Sequence, residues 1–140
     1  MESILNLGKP VWKIGTDQID WKQIKKEWDE DTVFFSVRFQ HGANELQFRA
    51  ELYKKRYKLM IYINGWFKGE YSNAEHDFSK YMNKKELKPS KNLKELFEAN
   101  KRLAKLKKEK YEPPKPYYMY LPIFANISEV KRMIENLEKL

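Results

Sequence analysis

The hydrophobic pattern between residues 32 and 71 alternates with the two-residue period of β-strands. A strand over 32–39 and another over 45–53 would each direct four apolar side chains to one face. Those eight side chains are Val33, Phe35, Val37, Phe39, Leu46, Phe48, Ala50 and Leu52. A turn around Gly42 and a second turn over 54–56 would join them to a third strand. The pattern therefore predicts an antiparallel meander of four strands.

The dipeptide Asn64-Gly65 predicts the last turn of this meander, because a two-residue type I′ loop needs positive φ at both positions. Ile63 would then pair with Trp66, and pairing would continue as far as Gly69. One face would carry Leu59, Ile61, Ile63 and Trp66, and the other Met60, Tyr62, Phe67 and Tyr71. A hairpin that is apolar on both faces either has cover on each side or keeps one face for a partner.

Before the meander, residues 10–14 suit an edge strand and are followed by a helix pattern that ends near Trp28. Thr16 or Asp17 would cap this helix. Its buried stripe would consist of Trp21, Ile24 and Trp28.

After the meander, three capping signals predict three helices. Ser72 with Glu75 matches a capping box, and Asn126 with Glu129 has the same spacing. Ser90 would cap a longer helix that ends near Lys108. The apolar sides would hold Phe78, Tyr81 and Met82 in the first helix, Leu93, Leu96, Phe97, Leu103 and Leu106 in the second, and Ile127, Val130, Met133, Ile134 and Leu137 in the third. Residues 117–121 would form a last strand or a packed extended segment.

These elements indicate an α+β fold, with an antiparallel meander of four to five strands, an N-terminal helix and two to three C-terminal helices. We expect the 140 residues to form a single domain. Its parts would be a strand and helix entry over 10–28, the β-meander over 32–71, a basic helical region over 73–110, a proline-rich link over 111–116 and a C-terminal segment and helix over 117–140.

The composition excludes several classes of site. The chain has no cysteine, which removes disulfides, thiolate nucleophiles and zinc-thiolate centres. Residues 1–10 lack the pattern of a signal peptide, and no apolar run approaches the ~18 residues of a membrane span. We therefore expect a cytoplasmic protein with no membrane association and no cofactor.

The net charge of +8 is concentrated in one part of the sequence. Residues 80–110 contain twelve bases and four acids, so this stretch holds the whole excess. Such asymmetry predicts a nucleic acid or an acidic surface as partner, with a merely solvated helix as the alternative. The candidate binding residues are Lys84, Lys85, Lys88, Lys91, Lys94, Lys101, Arg102, Lys105 and Lys108. The predominance of lysine over arginine favours electrostatic contact over base reading.

Aromatic side chains provide a second set of candidate contacts. Tyr62, Phe67 and Tyr71 on one sheet face could stack unpaired bases, or they could form core beneath a helix. Tyr117 and Tyr118 could belong to an interface strip or pack against the last helix. The full set of possible aromatic contacts is Tyr62, Trp66, Phe67, Tyr71, Tyr117 and Tyr118.

Catalytic motifs are missing from the sequence. There is no phosphate-binding glycine loop and no nucleophile elbow. His41 and His76 have no metal-ligand spacing, and the consecutive acids over 27–31 would diverge from a helix end instead of converging on a metal. We predict neither catalytic nor metal-binding residues. A metal-independent ribonuclease of toxin type remains an alternative, with Arg49, Lys54, Arg56, Tyr57 and His76 as candidates.

Residues 61–70, with the sequence IYINGWFKGE, are similar to a hairpin in small uncharacterised accessory proteins of tailed bacteriophages. The resemblance covers roughly residues 57–137 and brings no known activity. It implies a phage or prophage accessory gene, whose products commonly bind host machinery, with anti-CRISPR inhibitors of bacterial defence as one class. The charge of +8 departs from the acidic surfaces with which many such inhibitors imitate DNA.

Together, the charge and the resemblance predict a non-catalytic accessory protein that binds nucleic acid or a host nucleoprotein effector through its basic helical region. A protein inhibitor that acts through an aromatic surface is the second hypothesis. The oligomeric state and the identity of the partner stay open.

Overall fold

A computed structural model describes residues 9–87, 90–112 and 117–139. The elements in chain order are β1 (Val11–Lys13), α1 (Trp21–Glu30), β2 (Ser36–His41), β3 (Asn44–Tyr53), β4 (Arg56–Ile63), β5 (Asn83–Leu87), α2 (Lys91–Leu106), β6 (Tyr117–Leu121), β7 (Ile123–Phe124) and α3 (Ile127–Glu138). The chain divides into two compact units, which we term the body (Met1–Asn83 with Tyr120–Leu140) and the basic unit (Lys84–Met119). Lys88 and residues 113–116 of the predicted proline-rich link lie outside the described residues.

The body contains a five-stranded sheet in the order β1-β2-β3-β4-β7. The pairs β2–β3, β3–β4 and β4–β7 are antiparallel, which confirms the α+β meander, whereas β1 is parallel to β2. This parallel pair departs from the predicted antiparallel sheet. It arises because α1 lies between β1 and β2 in the chain, and a helical crossover brings the following strand back in the same direction.

The core lies on one face of this sheet, between the strands and the helices α1 and α3. Phe39, Phe48 and Phe124 form consecutive edge-to-face contacts, with ring centroids 5.7 and 5.2 Å apart. The predicted stripe of α1 packs here, since Ile24 is buried and Trp21 stacks on Phe39 at 5.6 Å. The predicted stripe of α3 is buried along its whole length, at Ile127, Val130, Met133, Ile134 and Leu137.

Two predicted boundaries near the N-terminus are wrong. The cap of α1 is Asp20, whose side chain accepts a hydrogen bond from the Gln23 backbone at 3.1 Å, because Thr16 is used in the turn after β1. The strand predicted over 32–39 begins only at Ser36. Residues Thr32–Phe34 form a 3₁₀-helix, which leaves Val33 exposed instead of inward-facing.

The helix predicted from Ser72 is absent, and this segment contains two 3₁₀-helices, Gly69–Ser72 and Asp77–Tyr81. The Asn73 side chain accepts from the Glu75 backbone at 3.0 Å, and His76 Nδ1 accepts from the Phe78 backbone at 3.0 Å. These local bonds satisfy the donors that an α-helix start would have left open, so the chain turns instead. The basic helical region predicted over 73–110 therefore contains one α-helix in its described part, α2.

The turn at Asn64-Gly65 has the predicted positive φ values, 52° and 84°. Ile63 pairs with Trp66, as expected, through hydrogen bonds of 2.7 and 3.1 Å. The predicted pairing beyond Trp66 is wrong, because the chain enters the 3₁₀-helix at Gly69. Trp66 consequently leaves the core face and is 71% exposed.

Leu52 is a third apolar side chain, after Val33 and Trp66, that was predicted to face the core and is exposed. It pairs with Tyr57 at the far end of the β3–β4 hairpin and is 64% exposed.

Within the described residues, no helix has the length and apolar composition needed to cross a membrane.

Candidate nucleic-acid interface

The basic unit carries most of the excess charge of the protein. Between residues 84 and 119 the sequence has twelve bases and five acids, a net charge of +7 out of +8. The rest of the chain is nearly neutral. A field of one sign on one compact unit attracts polyanions and accelerates their encounter with the protein.

The helix α2 of this unit has well-defined ends. The Ser90 side chain accepts from the Leu93 backbone at 3.3 Å, which confirms the predicted cap. At the other end, Lys108 has a φ of 57°, Lys108 N–H donates to the Lys105 carbonyl and Glu109 N–H donates to the Ala104 carbonyl. This is a Schellman motif with lysine at the left-handed position, and it ends the helix before the predicted Lys108.

Three lysines share one side of α2. With 3.6 residues per turn, Lys94, Lys101 and Lys105 fall within an arc of about 40°. Arg102 is rotated about 100° from Lys101, and Lys108 lies beyond the helix end. Of the basic residues predicted from the sequence, Lys94, Lys101 and Lys105 are therefore the three that α2 aligns on one side.

The charges of these lysines are not neutralised within the described chain. The ion pairs seen there join Arg38 to Glu45, His76 to Glu70, Lys131 to Glu135 and Arg132 to Glu129, and all of them lie in the body. None involves Lys94, Lys101 or Lys105, although Glu98 stands four residues after Lys94 on the same helix. Their ammonium groups are consequently available to an external anion.

The apolar side of α2 is uncovered. Leu93, Leu96 and Leu103 are 45%, 53% and 49% exposed, and no residue of the helix is buried. Phe97 and Ala104 line an open groove of about 300 Å³ with residues 110–112. The helix thus presents an apolar stripe on the side turned away from Lys94, Lys101 and Lys105, since Leu96 and Leu103 lie about 140–180° from these lysines around the helix axis.

Strand β5 pairs with β6 and brings a lysine onto one of the predicted tyrosines. Lys84 Nζ lies 4.2 Å from the centroid of the Tyr118 ring, and Tyr117 and Tyr118 are both exposed. Sequence reasoning missed β5, because four of its five residues are polar or charged and show no apolar alternation. Lys85 and Lys91 are exposed residues of the same unit.

Of the two alternatives for the aromatic side chains of the sheet, a stacking platform or core, Phe67 and Tyr71 follow the second. Tyr71 is buried, and Phe67 packs against the core with its ring 5.9 Å from that of Tyr71. Tyr62 lies on the opposite sheet face, where its hydroxyl donates to Glu51 at 2.8 Å and the Arg49 guanidinium lies 4.9 Å above its ring. Trp66 is exposed and forms no platform with these three side chains.

The ribonuclease candidates are not brought together. Lys54, Arg56 and Tyr57 lie at the end of the β3–β4 hairpin, whereas His76 packs against the rings of Tyr71 and Phe78. No hydrogen bond or ion pair joins His76 to those hairpin residues in the described parts of the chain. Among the described residues, no three histidine, aspartate or glutamate side chains are grouped so that they could hold a metal ion. This also applies to the acids over 27–31.

His41 has a structural environment of its own. Its Nδ1 lies 2.7 Å from the hydroxyl of the buried Tyr81, which also accepts a hydrogen bond from Asn44 at 3.2 Å. Partial burial and, to a lesser degree, the nearby Lys80 lower the pKa of His41. A neutral imidazole that accepts from the Tyr81 hydroxyl fits this site.

Comparisons of the chain with protein-family models, curated proteins and solved structures give no significant match.

Proposed function

We propose that this protein binds nucleic acid, free or within a nucleoprotein complex, through its basic unit and without catalysing a reaction. The observation that carries this proposal is the charge of that unit, +7 over residues 84–119, together with lysines on α2 that have no ion-pair partner in the described chain. Neutralising phosphates with such lysines releases counterions, which is the main source of sequence-independent affinity.

The arrangement on α2 suits contact with a phosphate backbone. Lys94, Lys101 and Lys105 follow one another at about 10 and 6 Å along the helix axis, given the rise of 1.5 Å per residue. Lysine is a flexible point charge and contacts phosphates without reading bases. We therefore expect binding with little sequence preference and a strong dependence on salt.

The similarity of residues 61–70 to phage hairpins supports a role for the protein as a phage or prophage accessory factor. In that setting the partner would be a host nucleoprotein effector, and inhibition of bacterial defence would be the outcome. A positive surface would engage the nucleic acid of such an effector instead of imitating it.

Fluorescence anisotropy with short labelled DNA and RNA tests this proposal. The wild-type protein should bind at about 50 mM salt. In the variant Lys94→Gln, Lys101→Gln, Lys105→Gln, the slope of log K against log salt should become less steep by about 2.7 for duplex DNA and about 2.1 for single strands. The matched control is Lys22→Gln, Lys25→Gln, Lys26→Gln, which removes three exposed charges from α1. Equal loss in both variants, or no binding by the wild-type protein, would contradict the proposal.

The exposed apolar stripe of α2 favours a second candidate, binding of a protein partner. Leu93, Leu96 and Leu103 are about half exposed, which is unusual for three leucines of one helix face. A pull-down from host lysate after nuclease treatment separates the candidates. A partner that survives the treatment and is lost with Leu96→Ser, Leu103→Ser is held by protein contacts, whereas a partner lost with nuclease is held by nucleic acid.

A further inference from the structure

The end of the β3–β4 hairpin is a cationic surface on the body. Residues 51–58 contain one acid, Glu51, and the four bases Lys54, Lys55, Arg56 and Lys58. The remainder of the body has two more acids than bases, so this charge stands out against its own unit. The hairpin is separate in sequence from the basic unit to which the proposed function assigns binding.

The backbone conformation of the turn does not explain why its two residues are lysines. Tyr53 pairs with Arg56, so the loop has two residues, and both have positive φ: 48° at Lys54 and 69° at Lys55. Such loops favour glycine, which has no Cβ, and asparagine, whose short polar side chain tolerates the left-handed conformation, whereas other side chains are strained there. At the other end of β4 the same chain uses Asn64 and Gly65 for a turn with the same signs of φ. The lysines at 54 and 55 are therefore unfavourable for the conformation of the turn, and what they contribute is their charge.

The four bases are open to a ligand. None of them belongs to an ion pair of the described chain. Glu51, which pairs directly with Lys58 across the strands, accepts a hydrogen bond from Tyr62 at 2.8 Å instead. The ammonium groups of Lys58 and Lys54 lie 5.1 and 5.3 Å from the centre of the Tyr53 ring.

Aromatic surface accompanies this charge on both faces of the hairpin. Tyr53 lies on the face turned away from the core, and Tyr57 lies beside Leu52 on the other face. All three side chains are exposed. Single-stranded nucleic acid offers a partner for each component, since its phosphates pair with amines and its unpaired bases stack on rings. A duplex hides its bases, and an anionic lipid surface offers no ring to stack.

We infer that the tip of the β3–β4 hairpin, residues 53–58, is a binding site for single-stranded nucleic acid. Lys54, Lys55 and Arg56 contact consecutive phosphates, and Tyr53 or Tyr57 stacks on a base. This inference rests on the proposed function in that the protein binds nucleic acid, but it adds a surface that the basic unit does not supply.

The variant Lys54→Asn, Lys55→Gly tests the inference because it should move stability and affinity in opposite directions. The melting temperature should rise, since Asn-Gly relieves the strain of the turn. Affinity for a labelled single-stranded oligonucleotide should fall roughly tenfold at about 50 mM salt, and the salt slope should fall by about 1.4 for two lost contacts. Arg56→Gln leaves the turn untouched and should weaken binding in the same sense.

The control is Lys25→Gln, Lys26→Gln, which removes two exposed charges elsewhere on the body. If the hairpin variant binds as this control does, while the α2 variant loses affinity, the hairpin inference is overturned and the proposed function stands. Loss in the hairpin variant alone supports the hairpin and removes α2 from the binding surface. If the wild-type protein binds anionic vesicles but neither oligonucleotides nor duplexes, the assignment to nucleic acid is overturned at both surfaces.

Discussion

Tyr81 has no exposed surface, and its hydroxyl group is held by two side chains, His41 and Asn44. The Asn44 side-chain nitrogen that faces Tyr81 can only donate, so the single hydroxyl proton of Tyr81 is free to reach His41 Nδ1. That bond requires a neutral imidazole with its proton on Nε2. Burial and Lys80 lower the pKa of His41 and raise the population of this form, while burial raises the pKa of Tyr81.

This network predicts a pH-dependent stability. Because the folded-state pKa of His41 lies below its usual value of about 6.5, the unfolded state binds more protons as the pH falls. The stabilisation is thus complete above about pH 6.5 and is lost as the pH falls below it. Urea unfolding at several pH values should show a smaller decline in His41→Asn than in the wild-type protein. His76→Asn serves as the control histidine variant, and identical pH profiles for His41→Asn and wild type would contradict the prediction.

Tyr81→Phe tests the same network at neutral pH. It removes the hydroxyl group, leaves the packing of the ring unchanged and should lower the free energy of unfolding by about 1 kcal/mol. The pH dependence that His41 contributes should decrease with it, because the imidazole then has no hydroxyl donor. A Tyr81→Phe protein as stable as wild type would show that the hydrogen bond contributes nothing.

Lys108 ends α2 in a backbone conformation that is unfavourable for lysine. Its φ of 57° is the left-handed conformation that glycine adopts without strain. Lys108→Gly should therefore stabilise the last turn of α2 by about 1 kcal/mol. Lys107→Gly is the matched control with the opposite sign, since Lys107 has helical backbone angles. Amide hydrogen exchange at residues 103–106 measures both effects, and faster exchange in Lys108→Gly would contradict this reading.

At the scale of elements, α2 and α3 show how one sequence pattern leads to two environments. Both helices have apolar residues at helical spacing and a side-chain cap, Ser90 or Asn126. The cap of α3 is reinforced because the Glu129 carboxylate accepts from the Ala125 backbone at 2.7 Å. The stripe of α3 packs against the sheet, whereas that of α2 stays open to solvent.

Truncating one side chain in each stripe should reveal this difference. Ile134 of α3 is fully buried, so Ile134→Ala should cost about 2–5 kcal/mol of unfolding free energy. Leu96 of α2 is 53% exposed, and Leu96→Ala should cost about 0.5 kcal/mol or less. Chemical denaturation gives both values. Equal costs at the two sites would mean that the α2 stripe is covered in solution.

At the scale of the whole molecule, the apolar core lies in the body and most of the excess positive charge lies in the basic unit. The body holds the five-stranded sheet and the buried hydrophobic cluster, and it has a net charge of +1. The basic unit holds a charge of +7 and a helix without a buried residue. A unit with few buried contacts opens locally at low cost in free energy, which suits a segment that is ordered further by a ligand.

Hydrogen exchange should separate the two units. Amides of β3 and β4 should exchange slowly, because these strands pair over eight positions and carry the core, whereas amides of α2 should exchange much faster. Adding a nucleic acid that binds should slow exchange in α2, and also in 53–58 if the hairpin takes part. Uniform protection across both units, with no change on addition, would contradict this division.

The sequence by itself determined the features that depend on neighbours in the chain. Strand alternation predicted the inward positions of β3 from Leu46 to Ala50, Asn64-Gly65 predicted the turn, and the spacing from Ile127 to Leu137 predicted the buried side of α3. The charge excess near α2 was also visible. These patterns are local, because backbone conformation and the facing of side chains follow from residues a few positions apart.

Only the tertiary structure decided what each element packs against. The parallel pairing of β1 and the 3₁₀ path between Gly69 and Tyr81 depend on partners or competing hydrogen bonds that periodicity does not encode. The choice between platform and core for Tyr62, Phe67 and Tyr71 was left open by the sequence for the same reason, and the structure places Phe67 and Tyr71 in or against the core. An apolar stripe indicates that a helix can pack against another segment. Whether it does so is determined by segments that are distant in the sequence.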